Sequence, residues 1–120
     1  MAANVRPRRL DVISLLSVGP NLFAGITFSG VFRSTNQGES WTPINEGLLS
    51  QSIQSLAAVG TNIFAATVGG GVLLSTDQGE SWQAVNEGLT SLGVRALAVA
   101  GGRLFAGTFG SGLFGADVTQ

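Results

Sequence analysis

Short apolar runs alternate with turn residues along the whole chain. The middle of the sequence shows this most clearly, with apolar runs at 54–59, 63–68 and 72–76 and a more polar run at 81–85. Glycine, asparagine and aspartate separate the runs. Short runs of this kind, rich in β-branched and aromatic residues, predict an antiparallel meander of four strands. Helices are not predicted, because no segment of about ten or more residues keeps a helical period free of glycine.

The meander is one copy of a repeat with a period of 41 residues. The octet STNQGESW at 34–41 returns as STDQGESW at 75–82, and Phe23, Phe64 and Phe105 keep the same spacing through a third copy. A fixed period of this size indicates that one supersecondary unit is stacked several times. We therefore expect an N-terminal arm over 1–12, a first unit over 13–53, a second over 54–94, and an incomplete third unit of three strands over 95–120.

The first run of each copy, at 15–18, 56–59 and 97–100, is apolar on both faces. Strands of this kind are expected to be covered on both sides, and their small side chains suit the narrow centre of a radial array. The fourth run is more polar, as an outer strand would be. These features predict an all-β chain of β-propeller blades, with about three four-stranded blades per chain and a ring that closes by oligomerisation.

Residues 75–82, Ser-Thr-Asp-Gln-Gly-Glu-Ser-Trp, resemble the Asp-box, or BNR repeat, of sialidases and many other propellers. Photosystem assembly factors and sorting-receptor ectodomains resemble the repeat as well, and the likeness extends from about residue 13 to 117. It implies a box at the turn between the third and fourth strands of a blade. There the acid and the serine satisfy turn amides while the tryptophan packs into the blade. The box positions are Ser34, Asn36, Gly38, Trp41, Ser75, Asp77, Gly79 and Trp82.

The first copy carries Asn36 where the box has its aspartate. Asparagine makes a similar local hydrogen bond, so we expect the turn to persist. The third copy reads Ala-Asp-Val at 116–118 and has lost the box.

The missing residue types exclude several kinds of chemistry. The sequence contains no cysteine, histidine, lysine or tyrosine. Disulfides, thiolate or histidine-based nucleophilic catalysis, Schiff bases and imidazole metal sites are therefore excluded. The turn at Asp77 lacks the alternating acids of a calcium loop, and we expect no metal and no cofactor. A formal net charge of −1 predicts no nucleic-acid partner and no attraction to an anionic membrane.

The start of the chain loosely resembles a signal peptide. Arginines within 6–9 precede an apolar run at 10–18, but Leu15 in that run aligns with Leu56 at the repeat offset. We therefore interpret the run as a repeat strand. No stretch approaches the ~18 apolar residues of a membrane span. A soluble protein is expected, and the pattern does not indicate its compartment.

Candidate binding residues cluster on one predicted end of the blades. The turns after strands two and four lie opposite the boxes, and propellers generally bind ligands on that face. If the chain binds a glycan or a protein ligand, its candidates are Phe28, Ser29, Asn45, Glu46, Asn86, Glu87, Arg95 and Phe109. The alternative is structural, because Asn-Glu-Gly after a strand is also favourable turn chemistry.

Sialidase activity is not predicted. That class resembles a propeller with a tyrosine nucleophile and an arginine triad. This chain has no tyrosine, and within its repeats only Arg33, Arg95 and Arg103. One enzymatic alternative remains, a glycoside hydrolase with Glu46 and Glu87 as paired carboxylates. We expect no enzyme.

Three blades are too few for a closed ring, because propellers typically have 4–8. Head-to-tail association of two chains would give a homodimer with six blades. Residues 1–4 align with 42–45 at the repeat offset, so the arm of one chain is a candidate fourth strand for its neighbour. The function predicted is a non-catalytic module that assembles into a ring and acts as a binding or interaction scaffold. The alternative is an engineered or duplicated structural repeat without a ligand.

Overall fold

The computed structural model describes residues 12–26, 28–48, 50–89 and 91–118. Apart from turns and connections, these residues form β-strands only. The strands are β1 (Val12–Val18), β2 (Asn21–Ile26), β3 (Gly30–Ser34), β4 (Thr42–Pro43), β5 (Ile53–Val59), β6 (Asn62–Thr67), β7 (Gly71–Ser75), β8 (Gln83–Ala84), β9 (Val94–Ala100), β10 (Arg103–Thr108) and β11 (Leu113–Asp117). The predicted N-terminal arm lies outside the described residues, except for Val12 at the start of β1.

Three antiparallel meanders follow one another along the chain. Sheet 1 has the order β1-β2-β3-β4, sheet 2 the order β5-β6-β7-β8, and sheet 3 contains β9, β10 and β11. The register repeats as well: Ala24 pairs with Leu15 and Phe32, just as Ala65 pairs with Leu56 and Leu73. The predicted meanders are confirmed.

The fourth strand is shorter than the run at 81–85 predicts. Both β4 and β8 have two residues. In sheet 2 the backbone N–H of Trp82 donates to the carbonyl of Glu46 at 3.0 Å and not to β7. The polypeptide thus enters sheet 2 only after contacting the connection that follows β4.

The hydrophobic core lies between successive sheets. We call the face that a sheet turns towards the next sheet its leading face, and the opposite one its trailing face. The leading face of sheet 1 packs Val18, Phe23 and Val31 against Leu56, Ile63 and Leu73 on the trailing face of sheet 2. The leading face of sheet 2 and the trailing face of sheet 3 form a second cluster with the same plan. Its buried members are Phe64, Ala66, Val72, Val94, Leu104 and Ala106.

The expectation that every first strand is covered on both faces is wrong for β1 and β9. Leu15 in β1 is 70% exposed, whereas its repeat equivalent Leu56 in β5 is 7% exposed. Only sheet 2 has a neighbour on both sides among the described residues, and the neighbour determines the burial. The first strands are nevertheless innermost, since β1 contacts β5 and β5 contacts β9. The radial arrangement inferred from their small side chains therefore agrees with the structure.

Candidate functional site

The Asp-box turn of sheet 2 is a closed set of local hydrogen bonds. The hydroxyl of Ser75 accepts from the amide of Gly79 at 2.7 Å and donates to Oδ1 of Asp77 at 2.8 Å. Asp77 in turn accepts from the amide of Ser81 at 3.0 Å and from its hydroxyl at 2.7 Å. Gln78 and Gly79 both have positive φ, 61° and 89°. The side chains of the serine and the aspartate thus accept hydrogen bonds from turn amides that cannot pair with a neighbouring strand.

The first box makes the same turn with asparagine. Oδ1 of Asn36 accepts from the hydroxyl of Ser34 at 2.9 Å and from the amide of Ser40 at 3.0 Å. Its Nδ2 donates to the hydroxyl of Ser40 at 2.8 Å, so this one bond runs in the opposite direction to its counterpart at Ser81 and Asp77. A rotatable hydroxyl donates or accepts equally well, which is why the turn tolerates either residue.

The carboxylate of Asp77 is stabilised in its charged form. Hydrogen bonds from the Ser81 hydroxyl, the Ser75 hydroxyl and the Ser81 amide lower the pKa of Asp77 below its ordinary value of 3.8. Donors favour the ionised carboxylate, so the box of sheet 2 keeps its negative charge well into the acid range. The box of sheet 1 has no titratable group at the corresponding position.

Trp82 connects the two sheets. Its indole N–H donates to the carbonyl of Ile44 at 2.8 Å, and its backbone N–H donates to the carbonyl of Glu46 at 3.0 Å. The side chain is buried in the cluster between sheets 1 and 2. Trp41 differs: it is half-buried, and its indole N–H donates to Gly38 at 3.1 Å within its own turn.

Polar contacts also join the second box to sheet 1. Arg33 donates to the carbonyl of Gln78 at 2.7 Å and pairs with Glu80 at 2.8 Å. The side chain of Asn21 donates to Gln78 at 2.9 Å. The sequence pattern does not predict these contacts between the two sheets. The available signal was that glutamine occupies the same place in both boxes, at Gln37 and Gln78.

Two of the candidate binding residues at the opposite end are engaged internally. Oδ1 of Asn45 accepts from the amide of Val31 at 2.9 Å, and its Nδ2 donates to the carbonyl of Ser29 at 3.3 Å. Asn86 repeats this with Val72 at 2.7 Å and with Gly70 at 3.0 Å. Each amide fastens the turn between strands two and three to the connection after strand four. These bonds favour the structural interpretation of Asn45 and Asn86.

Other candidates at this end are exposed. Phe28 has φ 63° and lies beside Ser29 in the turn between β2 and β3. Arg95 is the extra residue of a β-bulge in β9, and its guanidinium lies 5.3 Å from the centre of the Phe109 ring. A bulge re-aims a side chain. Here the bulge accompanies a cation–π pair between Arg95 and Phe109 at the surface. The spacing of these two residues in the sequence does not predict that contact.

The two glutamates belong to different sheet junctions. Glu46 is exposed on the connection between sheets 1 and 2, where Trp82 contacts its backbone. Glu87 lines a cavity of about 310 Å³ between sheets 2 and 3, and Glu46 does not. The structure therefore does not bring them together in one cleft. Among the described residues, no group of three or more His, Cys, Asp or Glu side chains could hold a metal ion.

Comparison with known proteins identifies the repeat. The BNR/Asp-box repeat family matches residues 73–84. Among solved structures, the computationally designed Ika4 protein has a TM-score of 0.67 at 16% identity, covering 89% of this chain and 66% of Ika4. YCF48 from Cyanidioschyzon merolae has a TM-score of 0.68 at 15% identity, covering 89% of this chain and 34% of YCF48. No curated protein sequence matches the chain.

An ancestral GH74 enzyme also shares the fold, with a TM-score of 0.70 at 24% identity, over 83% of this chain and 14% of the enzyme. The chain thus spans 66% or less of each of these proteins. The predicted Asp-box resemblance and the predicted fold of β-propeller blades are confirmed. In the part of the chain that the structure describes, no helix is long and apolar enough to cross a membrane.

Proposed function

Because the chain carries a BNR/Asp-box repeat and has the fold of β-propeller blades, we propose that it is a structural module that closes a ring with a second copy of itself. The observation that carries the proposal is the exposure of two end faces that have buried counterparts inside the chain. Leu15 on the trailing face of sheet 1 is 70% exposed and Leu56 is 7% exposed. On the leading side, Leu113 of sheet 3 is 71% exposed and Val72 of sheet 2 is 3% exposed.

One end face is a trailing face and the other is a leading face, so the two ends can pack on each other. A leading face packs on a trailing face at both internal junctions. Sheet 1 exposes its trailing face and sheet 3 exposes its leading face. Exposed leucines on both faces leave apolar area that association would bury. Two copies joined head to tail bring together six sheets, within the 4–8 blades of closed propellers. The dimer would have two identical junctions, each joining a leading face to a trailing face, and a two-fold rotation would relate them.

Sedimentation velocity at micromolar concentration tests the assembly. The expected mass is twice the 12.2 kDa of one chain. Leu15→Glu and Leu113→Glu each place a charge on one end face and are expected to abolish the closed dimer. Val68→Glu is the matched control, since Val68 is also exposed but lies in the turn after β6 and on neither end face.

Mixing the two variants tests the head-to-tail geometry. A mixture retains one intact junction, between the unchanged Leu113 face and the unchanged Leu15 face, so an open dimer is expected where neither variant dimerises alone. A wild-type chain that stays monomeric contradicts the proposal. Dimers of Leu15→Glu alone contradict the head-to-tail arrangement. Deletion of residues 1–5 is expected to weaken the dimer if the arm supplies a fourth strand.

Ligand binding at the end opposite the boxes is the second part of the proposal. Phe28, Ser29, Glu46, Glu87, Arg95 and Phe109 remain there as candidates, and the exposed Arg95–Phe109 pair is the feature that favours a ligand. Arginine stacked on an aromatic ring suits the planar and hydroxylated surfaces of a glycan or a protein partner.

A glycan array run together with a hydrolysis assay tests this part. Specific binding that Phe109→Ala removes is expected, with no turnover. If no glycan on the array binds, the result favours the purely structural alternative. Hydrolysis that depends on Glu46 and Glu87 would establish the glycoside hydrolase alternative instead.

A further inference from the structure

The cavity of about 310 Å³ between sheets 2 and 3 has a counterpart inside the chain. Its apolar lining includes Phe64, Val72, Val85, Leu104, Ala106 and Phe114. Moving each of these back by 41 residues gives Phe23, Val31, Ile44, Ile63, Ala65 and Leu73. All six of those residues belong to the cluster that buries Trp82 between sheets 1 and 2. The cavity is therefore the repeat equivalent of the Trp82 site.

The two tryptophans of the chain lie elsewhere, at Trp41 and Trp82. An apolar cavity of about 150 Å³ accommodates benzene, so this larger one has room for an indole. The acceptors are also repeated. Trp82 donates to the carbonyls of Ile44 and Glu46, whose equivalents Val85 and Glu87 both line the cavity.

We propose that this cavity is a binding site for a tryptophan-bearing strand of another polypeptide, in the manner of a Gly-x-x-Trp box docking from outside. The indole N–H donates to the carbonyl of Val85, and the backbone N–H of the same tryptophan donates to the carbonyl of Glu87. The site lies within one chain, so it does not depend on closure of a ring.

One substitution between the repeats sets the specificity of the site. At the first junction Arg33 pairs with Glu80 of the docked box. The equivalent of Arg33 at the cavity is Leu74, while the equivalent of Asn21 is still an asparagine, Asn62. An incoming glutamate would meet no arginine in the lining of the cavity and would lose its charged partner. The preferred partner therefore keeps the glutamine and the tryptophan of the box and carries an apolar residue in place of the glutamate.

The test is a titration of the ¹⁵N-labelled full chain with a peptide copying residues 75–84 and carrying Glu80→Leu. Saturable chemical-shift changes are expected at Gly88, Leu104 and Ala106. No change is expected at their equivalents Gly47, Ile63 and Ala65, which already surround Trp82. The same peptide with Trp82→Ala is expected to bind at least about tenfold more weakly, and the unmodified 75–84 peptide is expected to bind more weakly than its Glu80→Leu form.

Variants of the chain locate the site. Ala116→Phe adds a ring to the exposed lining of the cavity and is expected to abolish binding. Ala84→Phe is the matched control, because Ala84 is also an exposed strand residue and does not line the cavity. Equal affinity for the Trp82→Ala peptide, shifts confined to other residues, or no shift at millimolar peptide would overturn the proposal. Dimers of the chain that Ala116→Phe dissociates would assign the cavity to a second copy instead.

Discussion

The two Asp-boxes have nearly the same sequence and nearly the same turn, but they contact different parts of the molecule. Among the described residues, the side chains of the box of sheet 1 hydrogen-bond within their own turn, and the indole of Trp41 donates to Gly38 there. The box of sheet 2 reaches across to sheet 1 through Trp82, Gln78 and Glu80. The turn is therefore a property of the eight residues, whereas the stabilisation they supply depends on which sheet precedes them.

Alanine in place of each tryptophan is expected to reveal the largest difference in stability between the two boxes. Trp82→Ala is expected to cost about 3–5 kcal/mol, because it removes a buried side chain and leaves the Ile44 carbonyl without its donor. Trp41→Ala is expected to cost about 1–2 kcal/mol, since the side chain is half-buried. Urea unfolding in the Leu15→Glu background measures both without contributions from a neighbouring chain. Equal losses would mean that both tryptophans stabilise only their own turn.

Two glycines on the connections after the fourth strands provide the next test. Gly47 and Gly88 have φ of 85° and 87°, so alanine strains the backbone at both sites, at about 1–2 kcal/mol. A methyl group at Gly47 would also collide with the backbone of Trp82, whereas nothing lies within 4 Å at Gly88. Gly47→Ala is therefore expected to cost about 1–3 kcal/mol more than Gly88→Ala in thermal or urea unfolding. Equal costs would show that Trp82 moves away easily.

The two boxes are also expected to differ slightly in how their stability depends on pH. The pKa of Asp77 is lowered by its hydrogen bonds to Ser81 and Ser75. The stability it contributes is present above its ordinary pKa of 3.8 and is lost as the pH falls through the lower folded value. Asp77→Asn, which copies the first box, is expected to be slightly less stable than wild type at pH 7 and equally stable in strong acid.

Urea unfolding from pH 7 to about pH 2 measures that difference. Asn36→Asp is the reciprocal control and is expected to add the same pH dependence to the first box. A difference between wild type and Asp77→Asn that does not change with pH would contradict the assignment of the shift to these hydrogen bonds.

The repeat made the meander, the strand order and the box turns predictable, because these depend on residues within one unit. Burial was not predictable from the unit. Leu15 and Leu56 occupy the same repeat position and differ tenfold in exposure, since only one of them has a sheet in front of it. The same limit applies to Trp41 and Trp82.

The candidate site was predictable in part. The sequence pattern predicts that Asn45 and Asn86 lie at the end opposite the boxes. The hydrogen bonds that they accept from the amides of Val31 and Val72 depend on a contact between two loops, which the pattern does not show. The Arg95–Phe109 pair depends on a bulge, which strand alternation does not reveal. The loss of the box at 116–118 was visible in the sequence. The cavity between sheets 2 and 3 was not, because it depends on the packing of two sheets.

The docking of Trp82 on Ile44 and Glu46 gives the repeat a direction. The second unit carries the tryptophan, and the first unit carries the two carbonyls that receive it, so the joint runs from a later unit back to an earlier one. During synthesis, the end of sheet 1 therefore acquires its contacts with Trp82 only when the box of the second unit has emerged.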